Sequence, residues 1–272
     1  MTPTAKSLPA WVDRLRDLLT ANMKENKDLI SYALATTSAS DAQQPRVRYV
    51  VHRGFVNERR KDGDGSHNLI QDESGNDLIS DKLVVTTDAR SPKARQLAEQ
   101  PKVELAWWLA ATQHQFRIVG RAYILPSAAF PTHEGTEKAT SSGTTEQQQL
   151  SFPFPRKQLS PYDGFNWEDE RVRQFRKMSP ELRASFYRPV PGTKLADSDV
   201  KMEDLPQTLP EGIEEAEGEE QKKQVEQALK NFALIVIDAN EVDLVDLGST
   251  PDTRTVWTCR DGENWKEEGV VP

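Results

Sequence analysis

Cysteine is almost missing from this chain: Cys259 stands alone among 272 residues, which excludes an intrachain disulfide and any multi-cysteine metal cluster. Histidine is scarce as well. His52, His67, His114 and His133 are scattered, no two have ligand spacing on one element, and no metal site is expected. No run of about 18 apolar residues exists to span a bilayer. The N-terminal MTPTAKSLPAW lacks the apolar centre of a signal peptide. The chain has no G-x-S-x-G, no P-loop and no G-x-G-x-x-G, so serine-hydrolase, nucleoside-triphosphatase and Rossmann chemistry lack their mechanical parts. Lys and Arg number 35 against 43 Asp and Glu, a net charge of −8. Nucleic-acid binders and proteins that adhere to anionic membranes need the opposite balance, so neither partner is expected. A soluble, cytoplasmic protein is the default.

Apolar residues make up 36% of the sequence, which is lean for a compact body of this length and predicts that parts of it lie outside the core. Three stretches have that composition. Residues 57–81 set Gly63, Gly65 and Gly75 among charges between two strands, 131–150 is rich in Thr, Ser, Gln and Glu, and 193–223 is acidic and ends in EGIEEAEGEEQKK. They are expected to be flexible insertions in a single domain over 1–272. Elsewhere Trp11, Leu15, Leu18 and Leu19 behind Pro9 predict an amphipathic helix that covers one end of the core. A second helix is expected over 167–178, followed by a helix start at Ser179-Pro180 with Glu181 in its first turn. Residues 231–247 (NFALIVIDANEVDLVDL) predict two strands, and 255–266 a hairpin closed at Asp261-Gly262. Six to eight strands, few helices and no regular βαβ alternation predict a mainly β (α+β) barrel.

The richest stretch is 83–121, which reads as strand, turn, short helix, strand, loop, strand. Its apolar first strand breaks at Asp88 into a turn where Ser91 is an N-cap for a helix through Leu97. Arg90, Lys93 and Arg95 crowd that cap. Free N–H groups, a helix dipole and several cations on one turn suit an anionic ligand, although basic residues near a helix are more often a solvated face. Upstream, PRVRYVVHRGF (45–55) alternates Val47, Tyr49 and Val51 against Arg46, Arg48, His52 and Arg53, so a wet, cationic face is expected opposite an apolar one. Trp107 and Trp108 are neighbours on a strand and point to opposite sides, so at most one can stack on a ligand ring.

Three motifs together carry a family resemblance: R-x-V-x-x-R-G-F at 48–55, T-D-x-R-S-x-K at 87–93, and Q-F-R-I-x-G-R at 115–121. In order and spacing the chain resembles the pyridoxamine 5′-phosphate oxidase-like, FMN-binding split-barrel superfamily. Its M-S-x-x-x-R at 178–183 and R-P-V-P-G at 188–192 resemble the oxidase-like branch with LSxxxR and PxPG elements. The resemblance implies a split barrel with a few flanking helices, FMN as cofactor, and an oxidoreductase that moves hydride to or from a small substrate. It implies that Arg48, Tyr49, Val50 and Val51 run along the flavin, with Arg53 where the oxidases have lysine. Thr86 and Thr87 would stand beside the ribityl phosphate, with Arg90, Ser91 and Lys93 on the phosphate itself. Gln115 would contact the ring, and Arg254 would match a C-terminal flavin-contacting arginine. A homodimer is also implied, with Arg183 or Arg188 donated across to the partner's site.

Departures are equally informative. The R-x-H element that handles substrate in true pyridoxamine phosphate oxidases falls near Thr250 and Asp252 here, neither of which can clamp a phosphate as arginine does. Vitamin B6 oxidation is therefore not the expected reaction, and no catalytic residue stands out. A flavin- or anion-binding protein without turnover is the competing expectation.

Overall fold

The computed structural model describes residues 8–24, 30–38, 43–58, 71, 75, 78–130, 151–197 and 200–272. Eight antiparallel strands form one sheet: β1 (Ser31–Thr37), β2 (Pro45–Phe55), β3 (Leu83–Asp88), β4 (Lys102–Leu109), β5 (His114–Leu125), β6 (Phe232–Asp246), β7 (Thr253–Cys259) and β8 (Trp265–Val270). Their order is β3-β2-β1-β4-β5-β6-β7-β8, and a further pairing of β3 with β6 closes the first six into a barrel. β4 and β5 show why the chain can close this way. Their residues alternate buried and accessible along their length, so one face of each strand fills the interior.

Leu34, Leu105, Trp107, Phe116, Ile118 and Ile235 are among the interior side chains. Helix α1 (Ala10–Met23) presses Trp11, Val12, Leu15, Leu18 and Leu19 into the same cluster, as its spacing predicts. Trp11 meets Phe55 and Trp265 with ring centroids 5.9 and 5.6 Å away. Each large side chain buried this way contributes about 1.5–3 kcal/mol.

A second apolar layer lies outside the barrel. After α2 (Pro92–Glu99) and the single turn α3 (Arg156–Leu159), helices α4 (Trp167–Arg176), α5 (Pro180–Ser185) and α6 (Gly218–Asn231) bring Phe175, Ala184, Val225 and Ala228 onto Val84, Phe232, Leu234 and Val236. β3 and the first half of β6 are thus buried on both faces, so their sequences read as unbroken apolar runs. Instead of the two strands expected over 231–247, the chain makes one strand of 15 residues. Its polar middle, Asp238 to Glu241, marks a bulge, where the register with β5 slips between Val119 and Gly120. A Cβ at Gly120 would collide with the Asp238 carbonyl oxygen, so glycine is needed for this close approach.

The three proposed insertions differ in what is described. Residues 131–150 lie outside the described residues, as does most of 57–81. At the base of the latter, the Ser80 amide donates to the Val56 carbonyl and Asn57 Nδ2 to that of Leu78. Residues 193–223 include 3-10 turns at Leu195–Asp197, Met202–Asp204 and Ile213–Glu215 and the start of α6. Leu209 in this stretch is buried, and its amide donates to the Pro180 carbonyl at 3.0 Å.

Candidate functional site

β3 delivers its last residues, Thr86, Thr87 and Asp88, to a turn that leads into α2 (Pro92–Glu99). Ser91 caps this helix, its Oγ accepting from the Ala94 amide at 3.3 Å and lying 3.2 Å from Thr87 Oγ1. An open cleft of about 570 Å³ faces this turn. One wall is β2, through Tyr49, Val50, Val51 and Arg53. The opposite wall is the end of α5 and the chain that follows it, including Phe186, Arg188, Val190, Leu195 and Met202.

The lining carries three cations, Arg53, Lys93 and Arg188, and one carboxylate, Asp88. Asp88 is already engaged. Its Oδ1 accepts from the Arg90 amide and Nε at 2.8 and 3.0 Å, and its Oδ2 from Arg90 Nη2 at 2.6 Å. Lys93 makes no hydrogen bond or ion pair among the described residues. Burial and then the nearby positive charge of Arg48 lower its pKa to about 8, with Asp88 opposing them. A cation disfavoured in this way gains most from an anion placed beside it.

Of the residues expected at the site, Tyr49, Val50, Val51, Arg53, Thr86, Thr87, Ser91 and Lys93 line this one cleft. Five others have different places. Arg48 stands behind the lining and knits β1 to α2: Nη1 donates to Thr36 Oγ1 at 2.7 Å and to the Leu34 carbonyl at 3.2 Å, and Nη2 to Gln96 Oε1 at 2.7 Å. Arg90, expected on an anion, is a clamp. Besides holding Asp88 it donates through Nη2 to the carbonyls of Arg188 and Phe186 at 2.9 and 3.3 Å, fixing the far wall to the turn. Arg183 is turned into its own chain, where Nε donates to the Leu209 carbonyl at 2.9 Å and Nη1 to those of Arg176 and Met178. Gln115 and Arg254 lie on the outer surface of β5 and β7, away from the cleft lining. Gln115 pairs with Trp108 and Val245 there, and Arg254 grips Asp243 at 2.9 and 2.8 Å alongside Arg117.

The phase of β2 also differs from the alternation expected. Val50 and His52 point inward, whereas Val47 is 70% and Tyr49 79% exposed. An apolar, β-branched face can be either side of a strand, and here the interior takes the smaller set while the larger one lies outside. Sequence reasoning missed the chain from Phe186 to Met202 as a cleft wall. The P-x-P-G element after Arg188 was a visible signal, but it marked only a branch of a family. Thr250 and Asp252 are exposed between β6 and β7 and do not line the cleft. Among the described residues no group of three His, Cys, Asp or Glu side chains could hold a metal ion, and no helix is long and apolar enough to cross a membrane.

Residues 8–126 match the family model described as "Pyridoxamine 5'-phosphate oxidase, FMN-binding domain". No curated protein matches the sequence. Among solved structures, the fold is similar to a pyridoxamine 5'-phosphate oxidase-related, FMN-binding protein from Nostoc punctiforme PCC 73102. The TM-score is 0.62 at 21% identity over 98% of this chain and 100% of that one. It is also similar to PhzG from Burkholderia lata 383, solved with tetrahydrophenazine-1-carboxylic acid, with a TM-score of 0.52 at 14% identity over 98% and 99% of the two chains.

Proposed function

Because residues 8–126 match the model of the pyridoxamine 5'-phosphate oxidase FMN-binding domain, we propose that the cleft binds FMN and that the protein is a flavin-dependent oxidoreductase acting on a small organic substrate. The observation that carries this reading is Lys93, a cation without a partner among the described residues, beside the Ser91 and Thr87 hydroxyls at the start of a helix. A phosphate monoester supplies what that group lacks: negative charge for the ammonium and acceptor oxygens for the hydroxyls and first-turn amides. The cleft volume lies in the range of cofactor sites.

In this reading Lys93, Ser91, Thr86 and Thr87 hold the phosphate end, and β2 from Tyr49 to Arg53 flanks the ring. FMN when bound supplies the hydride chemistry. The protein's part is to bind, orient and exclude water, and the positive charge of Arg53 favours any anionic form of the ring beside it. Arg48 acts through the framework, holding β1, β2 and α2 in register. We also propose a homodimer. Val47, Tyr49 and Trp108 are large, apolar and exposed on the outer surface of β2 and β4, and Tyr49 lines the cleft as well, so a partner seated there would cover the flavin.

One observation favours the competing reading, flavin binding without turnover: Thr250 and Asp252 leave the oxidases' substrate-handling positions without a cation. The deciding experiment is absorbance of the purified protein with and without added FMN, followed by anaerobic reduction with NADPH or NADH and reoxidation by a substrate panel. Bound flavin that is reduced and reoxidised on the catalytic timescale supports the oxidoreductase. Bound but inert flavin supports the second reading, and no flavin binding rejects both.

A further inference from the structure

Arg188 is a cleft cation that the phosphate end does not need. It is half-buried, its Nε is enclosed without a hydrogen-bond partner, and its side chain makes no ion pair among the described residues. The one carboxylate of the lining, Asp88, is engaged by Arg90 through both oxygens and makes no ion pair with Arg188 among the described residues. An enclosed N–H donor without an acceptor among the described residues is unfavourable, and a ligand that supplied one would remove that cost. The position of Arg188 is nevertheless well fixed. Arg90 holds the Arg188 carbonyl at 2.9 Å, Asn231 Nδ2 holds that of Phe186 at 2.8 Å, and Gly192, at φ +92°, lies against Pro92 at the start of α2.

Arg188 is surrounded differently from Lys93. Around Lys93 stand hydroxyls and a helix start, a setting for a tetrahedral phosphate. The wall that carries Arg188 presents Val190, Leu195 and Met202, which are 44%, 80% and 42% exposed. These exposed apolar side chains offer contact area but no hydrogen bonds, and the guanidinium's planar fork matches a carboxylate through two parallel bonds.

We propose that Arg188 anchors the substrate, and that the substrate class is a small apolar or aromatic carboxylate whose charge meets Arg188 and whose body lies against Val190, Leu195 and Met202. The proposal deepens the flavin reading above and rests on it. It makes Arg188 a specificity residue: neutral analogues of the same shape keep the apolar contact and forfeit the ion pair.

The test uses the FMN-loaded protein and two probes of one shape, 2-naphthoate and the neutral 2-naphthylmethanol, titrated by calorimetry into wild type and Arg188→Met, with FMN affinity measured for each. Wild type is expected to prefer the carboxylate. Arg188→Met is expected to weaken naphthoate about 10- to 100-fold, the usual loss for a hydrogen bond to a charged group, and to leave naphthylmethanol and FMN unchanged. Naphthoate that binds wild type no more tightly than the alcohol does, or binds the variant equally well, overturns the proposal. So does a variant that loses FMN, since Arg188 would then belong to the cofactor. If wild type fails to bind FMN, the flavin reading falls by itself, and the same titrations on the FMN-free chain decide Arg188 separately. Should the methionine variant unfold early, Arg188→Gln, which keeps donors without charge, makes the comparison.

Discussion

Lys93 and Arg48 lie close enough for one to depress the other's charge, yet their surroundings give them different work. Lys93 has no hydrogen-bond or ion-pair partner among the described residues, and its pKa is lowered to about 8 by burial and by Arg48. Below that pH it is already charged, so anion binding costs no protonation and affinity for FMN is flat. Above it a proton must be taken up with the ligand, so affinity falls as pH rises toward the ordinary lysine range near 10.4. Fluorescence titration with FMN at intervals from pH 7 to 10 is expected to show this fall in wild type and not in Lys93→Ala, which binds FMN about 10- to 100-fold more weakly. A profile identical in both proteins would remove Lys93 from the site. Arg48 is invested in the framework. Arg48→Ala strips hydrogen bonds from Thr36, Gln96 and the Leu34 carbonyl and is expected to cost about 1–3 kcal/mol in thermal unfolding without FMN.

At the scale of elements, the turn between β3 and α2 does two jobs. It presents Ser91 and Lys93 to the cleft, and through the Asp88–Arg90 pair it holds the chain after α5 as the opposite wall. Arg90→Ala is expected to free that wall while the barrel stays intact, so proteolysis within 186–202 should quicken severalfold with little change in melting temperature. Equal cleavage rates in the two proteins would show that the wall stands without its clamp. The β5–β6 bulge is a second element-level device, since Gly120 lets the long strand bend where the barrel closes. Gly120→Ala forces a Cβ onto the Asp238 carbonyl and is expected to cost about 1–3 kcal/mol, the range for overpacking, by chemical unfolding.

Across the whole molecule, closure of β3 on β6 separates two apolar clusters, one inside the barrel and one beneath α4, α5 and α6. A third apolar surface stays open, with Val47, Tyr49 and Trp108 on the outside of β2 and β4. If two copies meet there, a charge at its centre must oppose assembly, because a desolvated carboxylate without a partner is strongly unfavourable in an interface. Tyr49→Glu is expected to convert a dimer into a monomer in sedimentation velocity and to weaken FMN at the same time. A wild-type protein that sediments as a monomer at tens of micromolar would reject the dimer.

Much of the barrel and half of the cleft were legible without coordinates, because they depend on neighbours in the chain. The Ser91 cap, the Pro180 helix start and the Asp261-Gly262 turn are set by groups within four residues of one another. The stretches 48–55 and 87–93 are each single strands or turns, so their resemblance to a flavin-binding family could be read as short motifs. Other features required the fold. Nothing local told β2 which of its faces was the interior; pairing with β1 and β3 and the space inside the barrel decided that. Nothing local joined Arg90 to carbonyls 96 and 98 positions away, or turned Arg183 inward while Arg188 faced the cleft. The chain by itself determined the periodicities, caps and charges that make a barrel with a cationic turn. Tertiary packing decided which partner each cation meets, because a charged side chain's partner depends on which distant segment is packed against it.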